Sequence, residues 1–376
     1  MNTWSWPRPS LRVPPRPASS TPPWTPSRAT CVPPEPQPRV GAGDDLDEFG
    51  EIARLLRPLA RDAPEALGLA DDAAVIAPQP AALVVTTDTL VEGVHFLPDD
   101  PLDLVARKLL RVNLSDLAAK AAEPYGYLLN LAWSRRVDAP GRARFVEGLA
   151  ADQARFGLRL FGGDTVRTPG PLTVGATLFG RAPAGKVVPR SGARPGDVLL
   201  VSGSIGDAGL GLDLLSGRLR VAAPAAERLA ARYRTPEPRL GLRDALRAHA
   251  AASADVSDGL LADAGRIAEA SGCRAHVRLE ALPLSSATSA WLGAQSDEVA
   301  ARVRLATAGD DYEVVCAARP GAVEALCAAA AAAGAPLTAI GRMADGAGVA
   351  ASFGGRIVPT LRLGWTHGVS TPTVQT

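Results

Sequence analysis

The sequence predicts a mixed chain in two halves, of the α/β or α+β class, on three observations. Runs rich in β-branched residues alternate with helical apolar patterns from residue 47 to residue 335. The stretch PRSGARPGD, residues 189–197, is dense in Pro, Gly and Arg and separates the two sets. The length of 376 residues exceeds one ordinary domain. The boundaries read as a Pro-rich tail over 1–43, an N-terminal domain over 44–188 and a C-terminal α/β domain over 189–376.

Residues 1–39 hold 12 of the 33 prolines, three of the six tryptophans and five arginines against the single acid Glu35, with no apolar period. Such a segment builds neither helix nor sheet and is expected to be disordered; a Pro-rich ligand for a partner domain is the other reading. Deleting residues 1–43 is expected to leave folding and activity nearly unchanged, and loss of the thermal transition in the truncated protein would show that the tail packs. From Asp47, Phe49, Ile52, Ala53, Leu55, Leu56 and Leu59 recur at helical spacing, with Pro58 and Pro64 closing the run, which predicts an amphipathic helix. The loop GLADDAAVIA precedes AALVVTTDTL, whose composition predicts a buried strand. Residues 102–122 read as a long helix. Leu158 to Phe161 is a strand candidate ending in Gly162-Gly163-Asp164, and LTVGATLFG at 172–180 is a third. Beyond the connection, DVLLVSG and YEVVCAA read as strands, GDAGLGLDLLSG and GLLADAGRIAEASG as helices, and the Ala-rich run 325–335 as one helix ending at Gly334.

Composition narrows the function classes. Lys and Arg number 40 against 39 Asp and Glu, so the chain carries no general field for nucleic acid or an acidic membrane. Only Lys108, Lys120 and Lys186 are lysines; the rest are guanidinium groups, suited to phosphate and carboxylate. The chain has no apolar run long enough for a membrane span and no signal-peptide core, which predicts a cytoplasmic protein. Cys31, Cys273, Cys316 and Cys327 form no metal spacing and read as free thiols. Two familiar motifs fail. GRAPAGKV at 180–187 ends in Val187 where a phosphate loop needs a hydroxyl. GSIGDAG at 203–209 reads as a tight strand-to-helix turn in preference to a dinucleotide site.

What remains is aspartate at strand ends and helix starts: Asp71-Asp72, Asp88, Asp164, Asp255 with Asp258, and Asp310-Asp311. Any one of them is explained by turns and caps; the set is harder to dismiss. Asn113, Asp116 and Lys120 form one polar stripe on a helix otherwise rich in Leu and Ala, which points the stripe into a polar cavity. Carboxylates converging on one cavity need a cation, and oxygen ligands without His or Cys select Mg²⁺, which bridges to phosphates. The residues alone therefore lead to a magnesium-dependent phosphoryl-transfer enzyme without a Walker loop.

Seven ordered motifs then carry a resemblance: GLADDAAVI, TTDTLVEGVHF, NLSDLAAKAAEP, FGGDTVR, RSGARPGDVLLVSG, DVSDGLLADAG and AGDDYEV. From about Glu48 to His367 the chain resembles the thiamine-monophosphate kinase family, in the superfamily of aminoimidazole ribonucleotide synthetase and selenophosphate synthetase. The resemblance implies an N-terminal domain that pairs strands across a homodimer, a C-terminal α/β domain, and Mg²⁺-assisted transfer from ATP to thiamine monophosphate. By position it implies metal ligation by Asp72, Thr86, Asp88, Asp116, Asp164, Asp255 and Asp258, with Asp88, Asp116 and Asp258 catalytic. It implies ATP contacts at Gly163, Arg190 and Ser257, and thiamine phosphate contacts at His95, Asp310 and Trp365. Two positions depart from the family pattern: Ala70 replaces a Gly, and Asp310 replaces a Glu one methylene longer. The alternatives are a relative acting on another substrate and a noncatalytic nucleotide-binding protein.

Overall fold

The computed structural model describes residues 48–70, 73–77 and 80–366; the tail over 1–43, Cys31 and the ligand candidate Asp72 lie outside the described residues. Helical hydrogen bonding starts in α1 (Glu48–Glu51) and then changes type, through a π turn at Ile52–Leu56 and 3-10 turns at Arg57–Ala60 and Pro64–Leu69. The single amphipathic helix read from the sequence is thus broken into three kinds of turn. Pro58 is the reason, since it offers no N–H to the ladder and the N–H of Arg57 reaches back to the Ile52 carbonyl.

Four strands form the first sheet: β1 (Ala82–Val91), β2 (Glu123–Ser134), β3 (Leu160–Thr168) and β4 (Thr173–Ala182), in the order β1-β4-β2-β3. Two long helices, α2 (Leu102–Ala119) and α3 (Ala139–Phe156), pack on its inner face, where Trp133 meets Phe145 edge-on at 5.3 Å. β1 is an edge strand. Its even-numbered residues Val84, Thr86, Asp88 and Leu90 turn inward while Leu83 and Val85 are 46% and 54% exposed, so the buried strand expected from composition is buried on one face only. β3 also departs from the sequence reading. It runs through Gly162 and Gly163 to Thr168 because β2 supplies a parallel partner from Leu128 to Ser134. A Cβ at Gly163 would stand 1.8 Å from the Leu129 carbonyl oxygen, so this pairing requires glycine. β2 and α3 have no counterpart in the sequence reading.

The second sheet joins β5 (Val198–Ser202), β6 (Ala250–Asp255), β7 (Arg274–Arg278), β8 (Val314–Ala318), β9 (Leu337–Ala344), β10 (Gly348–Phe353) and β11 (Arg356–Val358) in the order β11-β10-β7-β9-β5-β8-β6. Only β7 and β10 run parallel, which makes the architecture mixed and largely antiparallel. Its helices are α4 (Asp207–Leu215), α5 (Ala225–Arg234), α6 (Arg243–His249), α7 (Leu260–Ser271), α8 (Ser286–Gly293), α9 (Glu298–Thr307) and α10 (Val323–Ala332). The chain is therefore a two-domain α/β protein, and α2 serves both domains. Leu109 and Leu114 fill the first core, whereas Ala118 and Ala119 join Leu200 and Val314 in the second. The Lys120 ammonium at the end of α2 donates to the carbonyls of Val188 (3.2 Å) and Ser253 (2.6 Å), fastening the helix to β6. Cys273, Cys316 and Cys327 are free thiols. No helix among the described residues is long and apolar enough to cross a membrane.

Candidate active site

The inward face of β1, the last turns of α2 and the end of β6 meet at three carboxylates. Thr86 donates its hydroxyl to Asp116 at 2.5 Å, and Asp88 lies two residues further along the same face of β1. Burial, and then the charge of Asp116, push the Asp88 carboxyl up to about 7. Asp255, at the end of β6, is raised well above the carboxylate range by burial and then by Asp116 and Asp263. Lys120 is the nearby ammonium, and burial followed by the Arg190 charge lowers it to about 8. Arg190 thus stands beside Lys120, at the connection between the domains.

The polar stripe expected on α2 divides. Asp116 reaches this acidic cluster, whereas Asn113 is fully buried and donates to the Leu109 carbonyl of its own helix. Asn113 does not line the cavity that Asp88 and Asp258 share.

Two loops continue the cluster into the second domain. Residues 256–258 and 310–313 exchange backbone hydrogen bonds, from Asp310 N to Ser257 O (2.8 Å), Tyr312 N to Val256 O (2.7 Å) and Val256 N to Glu313 O (2.8 Å). Asp310 and Tyr312 both adopt left-handed backbone, φ 67° and 48°, a strain the surrounding bonds must hold. Glu313 anchors the loop from behind: fully buried, it accepts from Arg232 (2.8 Å), Arg239 (2.6 and 2.5 Å) and Ser202 (2.6 Å). Asp311 accepts from the N–H groups of Gly206 (2.7 Å) and Ala208 (3.3 Å), so the amides of the GSIGDAG turn are taken by an internal carboxylate. On the other loop, Asp263 accepts from the N–H groups of Ser257, Asp258 and Gly259 at 3.0, 3.1 and 3.3 Å, and Arg266 pairs with both Asp258 and Asp263.

A cavity of about 710 Å³ lies between β1 and these loops, lined by Asp88, His95, Ser257, Asp258, Asp310 and Trp365 among others. The C-terminal segment closes it. Trp365 N–H donates to the Asp258 carbonyl at 2.8 Å, and Gly364 is required beneath it because a Cβ there would come within 2.4 Å of the same oxygen. The indole is 53% exposed at the mouth. A second cavity, about 970 Å³, lies on the far side of that segment and contains no sequence-predicted residue except Trp365.

The structure does not gather every predicted residue. Asp164 is exposed on β3 and pairs in register with Asn130, one step from the row that contains Asp88, so it stands on the outer face of the sheet. Of the three nucleotide candidates, only Ser257 lines the cavity; Gly163 is on β3 and Arg190 on the connection. Three residues of the site were missed in the sequence: Lys108, Asp263 and Tyr312. Lys108 carried a signal, since it stands eight residues before Asp116, a little over two turns along the same helix. Asp263 looked like an ordinary first-turn acid.

The donors present fit a hard divalent cation. Asp88 and Asp255 are oxygen donors whose burial and repulsion from Asp116 draw protons onto them, which is the behaviour of carboxylates short of positive charge. Among the described residues no group of three or more His, Cys, Asp or Glu is drawn close enough to ligate one ion as it stands. Binding therefore requires side-chain adjustment or oxygens from the substrates.

Comparison with known proteins agrees with this architecture. The model of the AIR synthase related protein N-terminal domain matches residues 70–182, which span β1 to β4, and that of its C-terminal domain matches residues 194–353, from β5 to β10. The thiamine-monophosphate kinase of Caulobacter vibrioides is 56% identical over 322 residues, 85% of this chain and 91% of that protein. That of Escherichia coli K12 is 41% identical over 79% of this chain and 90% of its own length. Among solved structures, thiamine-monophosphate kinase from Stenotrophomonas maltophilia superposes with a TM-score of 0.72 at 40% identity, covering 83% of this chain and 98% of that one. AaThiL complexed with AMPPCP and TMP superposes with a TM-score of 0.67 at 28% identity, covering 87% and 99%. The hydrogenase maturation protein HypE, at 19% identity and a TM-score of 0.68, shares the fold. With identity this high sustained over nine-tenths of a relative's length, the chain belongs to the thiamine-monophosphate kinase family.

Proposed function

We propose that this chain phosphorylates thiamine monophosphate to thiamine diphosphate at the expense of ATP, by direct in-line transfer. The observation that carries the reading is one cavity lined by the acids Asp88 and Asp258 together with His95, Asp310 and Trp365, reached from both domains. The relative solved with AMPPCP and TMP supports the same pair of substrates. A phosphate monoester is already a nucleophile near neutral pH, so the chain needs no strong base and no phosphoenzyme; its task is to align two anions. Asp88, Asp116, Asp255 and Asp258 are the proposed magnesium site, with Thr86 bonded to Asp116; Asp72, outside the described residues, and Asp164, on the opposite face of the sheet, rest on the motif resemblance alone. Magnesium, when bound, supplies the positive charge that lets the phosphates approach. Asp263 keeps Ser257 and Asp258 in place through three N–H groups, and Ser257, Arg190 and Gly163 are the proposed nucleotide contacts. Asp88, Asp116 and Asp258 are the proposed catalytic acids.

Several features support the finer readings. Ala60, Ala63, Ala66, Ala74 and Ile76 pack with Leu128, Phe161 and Phe179 on the outer face of the first sheet, yet Leu83 and Val85 remain exposed at the free edge of β1. That apolar edge supports a homodimer formed by strand pairing. The long connection between β4 and β5 supports a domain boundary at residue 188, and dependence on ATP supports a cytoplasmic enzyme.

The direct test is incubation of purified protein with ATP, Mg²⁺ and a panel of monophosphates. Thiamine diphosphate is the expected product, and ATP consumption indifferent to thiamine monophosphate would sink the reading in favour of a nucleotide-binding protein. The Trp365 indole suits stacking on the flat cationic thiazolium, an attraction of roughly 0.5–2 kcal/mol. Trp365→Ala is expected to raise the KM for thiamine monophosphate several-fold and leave that for ATP close to normal. Equal weakening of both would assign Trp365 to the fold.

A further inference from the structure

Lys108 is a charged side chain sealed in the protein, 1% exposed, and its ammonium points toward the end of the cavity that holds His95 and Asp310. It donates to the His95 carbonyl at 2.9 Å and to Asp310 Oδ2 at 3.1 Å, and it sits 3.9 Å from the centre of the Tyr233 ring. Tyr233 is itself buried, and its hydroxyl lies 3.5 Å from the same His95 carbonyl. These partners come from three segments: the loop after β1, helix α5 and the strained loop before β8. A buried ammonium needs this much compensation, and the carbonyl and ring form a fixed cradle that aims its remaining donor at Asp310.

Asp310 is the partner that reaches substrate. Its side chain is 30% exposed and lines the cavity, on backbone that only its neighbours hold in the left-handed region. An uncompensated carboxylate there would repel the phosphate of the proposed substrate and swing freely. We propose that Lys108 is a positioning residue: through Asp310, whose carboxylate it neutralises and orients, it sets the affinity for thiamine monophosphate without touching that substrate. The inference rests on the substrate reading above.

The test is a double-mutant cycle of Lys108→Met and Asp310→Asn, read as KM for each substrate and kcat. Lys108→Met alone is expected to raise the KM for thiamine monophosphate about tenfold, more than Asp310→Asn does, with the KM for ATP changed less than twofold and kcat less than threefold. Adding Asp310→Asn should rescue it, returning the KM to within twofold of the Asp310→Asn value, since no unpaired anion then remains. An unchanged KM in Lys108→Met, or a double variant worse than Asp310→Asn by more than about threefold, overturns the proposal. If Lys108→Met does not fold, the comparison of the double variant with Asp310→Asn decides by the same criterion, and a double variant that also fails to fold makes Lys108 a residue of the core and overturns it. Active wild-type protein with an unaltered Lys108→Met KM removes this inference alone; wild-type protein that forms no thiamine diphosphate removes the substrate reading and this inference with it.

Discussion

Asp116→Asn is expected to slow thiamine diphosphate formation by about 10² or more while leaving the thermal transition nearly unchanged. Asp116 sits among the acids of the site: it accepts the Thr86 hydroxyl, and its charge helps to raise both Asp88 and Asp255. Replacement by Asn keeps the shape and the bond from Thr86. It removes one negative charge from a place where like charges already repel, so the folded state loses little. What it would remove is a proposed ligand that holds positive charge against two phosphates, an effect on the order of 3 kcal/mol in the transition state. Initial rates across a magnesium titration, beside a thermal melt, make the check. Wild-type rates at low magnesium would show that Asp116 is not a ligand, and a large fall in Tm would show that its role is structural.

Arg111→Met is expected to have the largest effect on stability. The guanidinium on α2 grips Asp152 of α3 with two bonds, at 2.5 and 2.9 Å, and both side chains are almost sealed, 3% and 1% exposed. Its third nitrogen donates to the carbonyls of Thr235 and Pro236 at 3.2 Å and to Glu237 at 3.3 Å, so one side chain ties both helices of the first domain to the segment after α5. Methionine would fill much of the volume and leave Asp152 with only the longer contact to Arg107 at 3.2 Å. Breaking a buried pair from one side costs about 3–5 kcal/mol, a fall in Tm of roughly 4–7 °C for a chain of this size. The companion Arg111→Met/Asp152→Leu should recover most of the loss, because a matched apolar pair replaces the ions. A loss under about 1 kcal/mol in the single variant would mean that water reaches the pair.

Local chemistry is what the sequence by itself determined. Runs such as LVVTTDTL and LLADAGRIAEAS state their period and their stops within a dozen residues, so β1, α2, α7 and α10 follow from propensity and punctuation. The oxygen-only donors and the near absence of lysine likewise stated the class of chemistry, and seven ordered motifs stated the family. Only the tertiary structure decided which acids meet. Asp88 and Asp164 both follow strand-like runs, yet the two-residue period of the pleat sends them to opposite faces of one sheet. It decided that the glycine pair continues β3, because the partner β2 lies more than 25 residues away in the chain and pairing is a long-range property. It decided too that Trp365 returns to the cavity lined by His95, and that Lys108, which the sequence marked only as one of three lysines, is the buried counter-charge of Asp310. Burial and charge pairing arise from segments distant in sequence, and no local pattern records which of them will share a cavity.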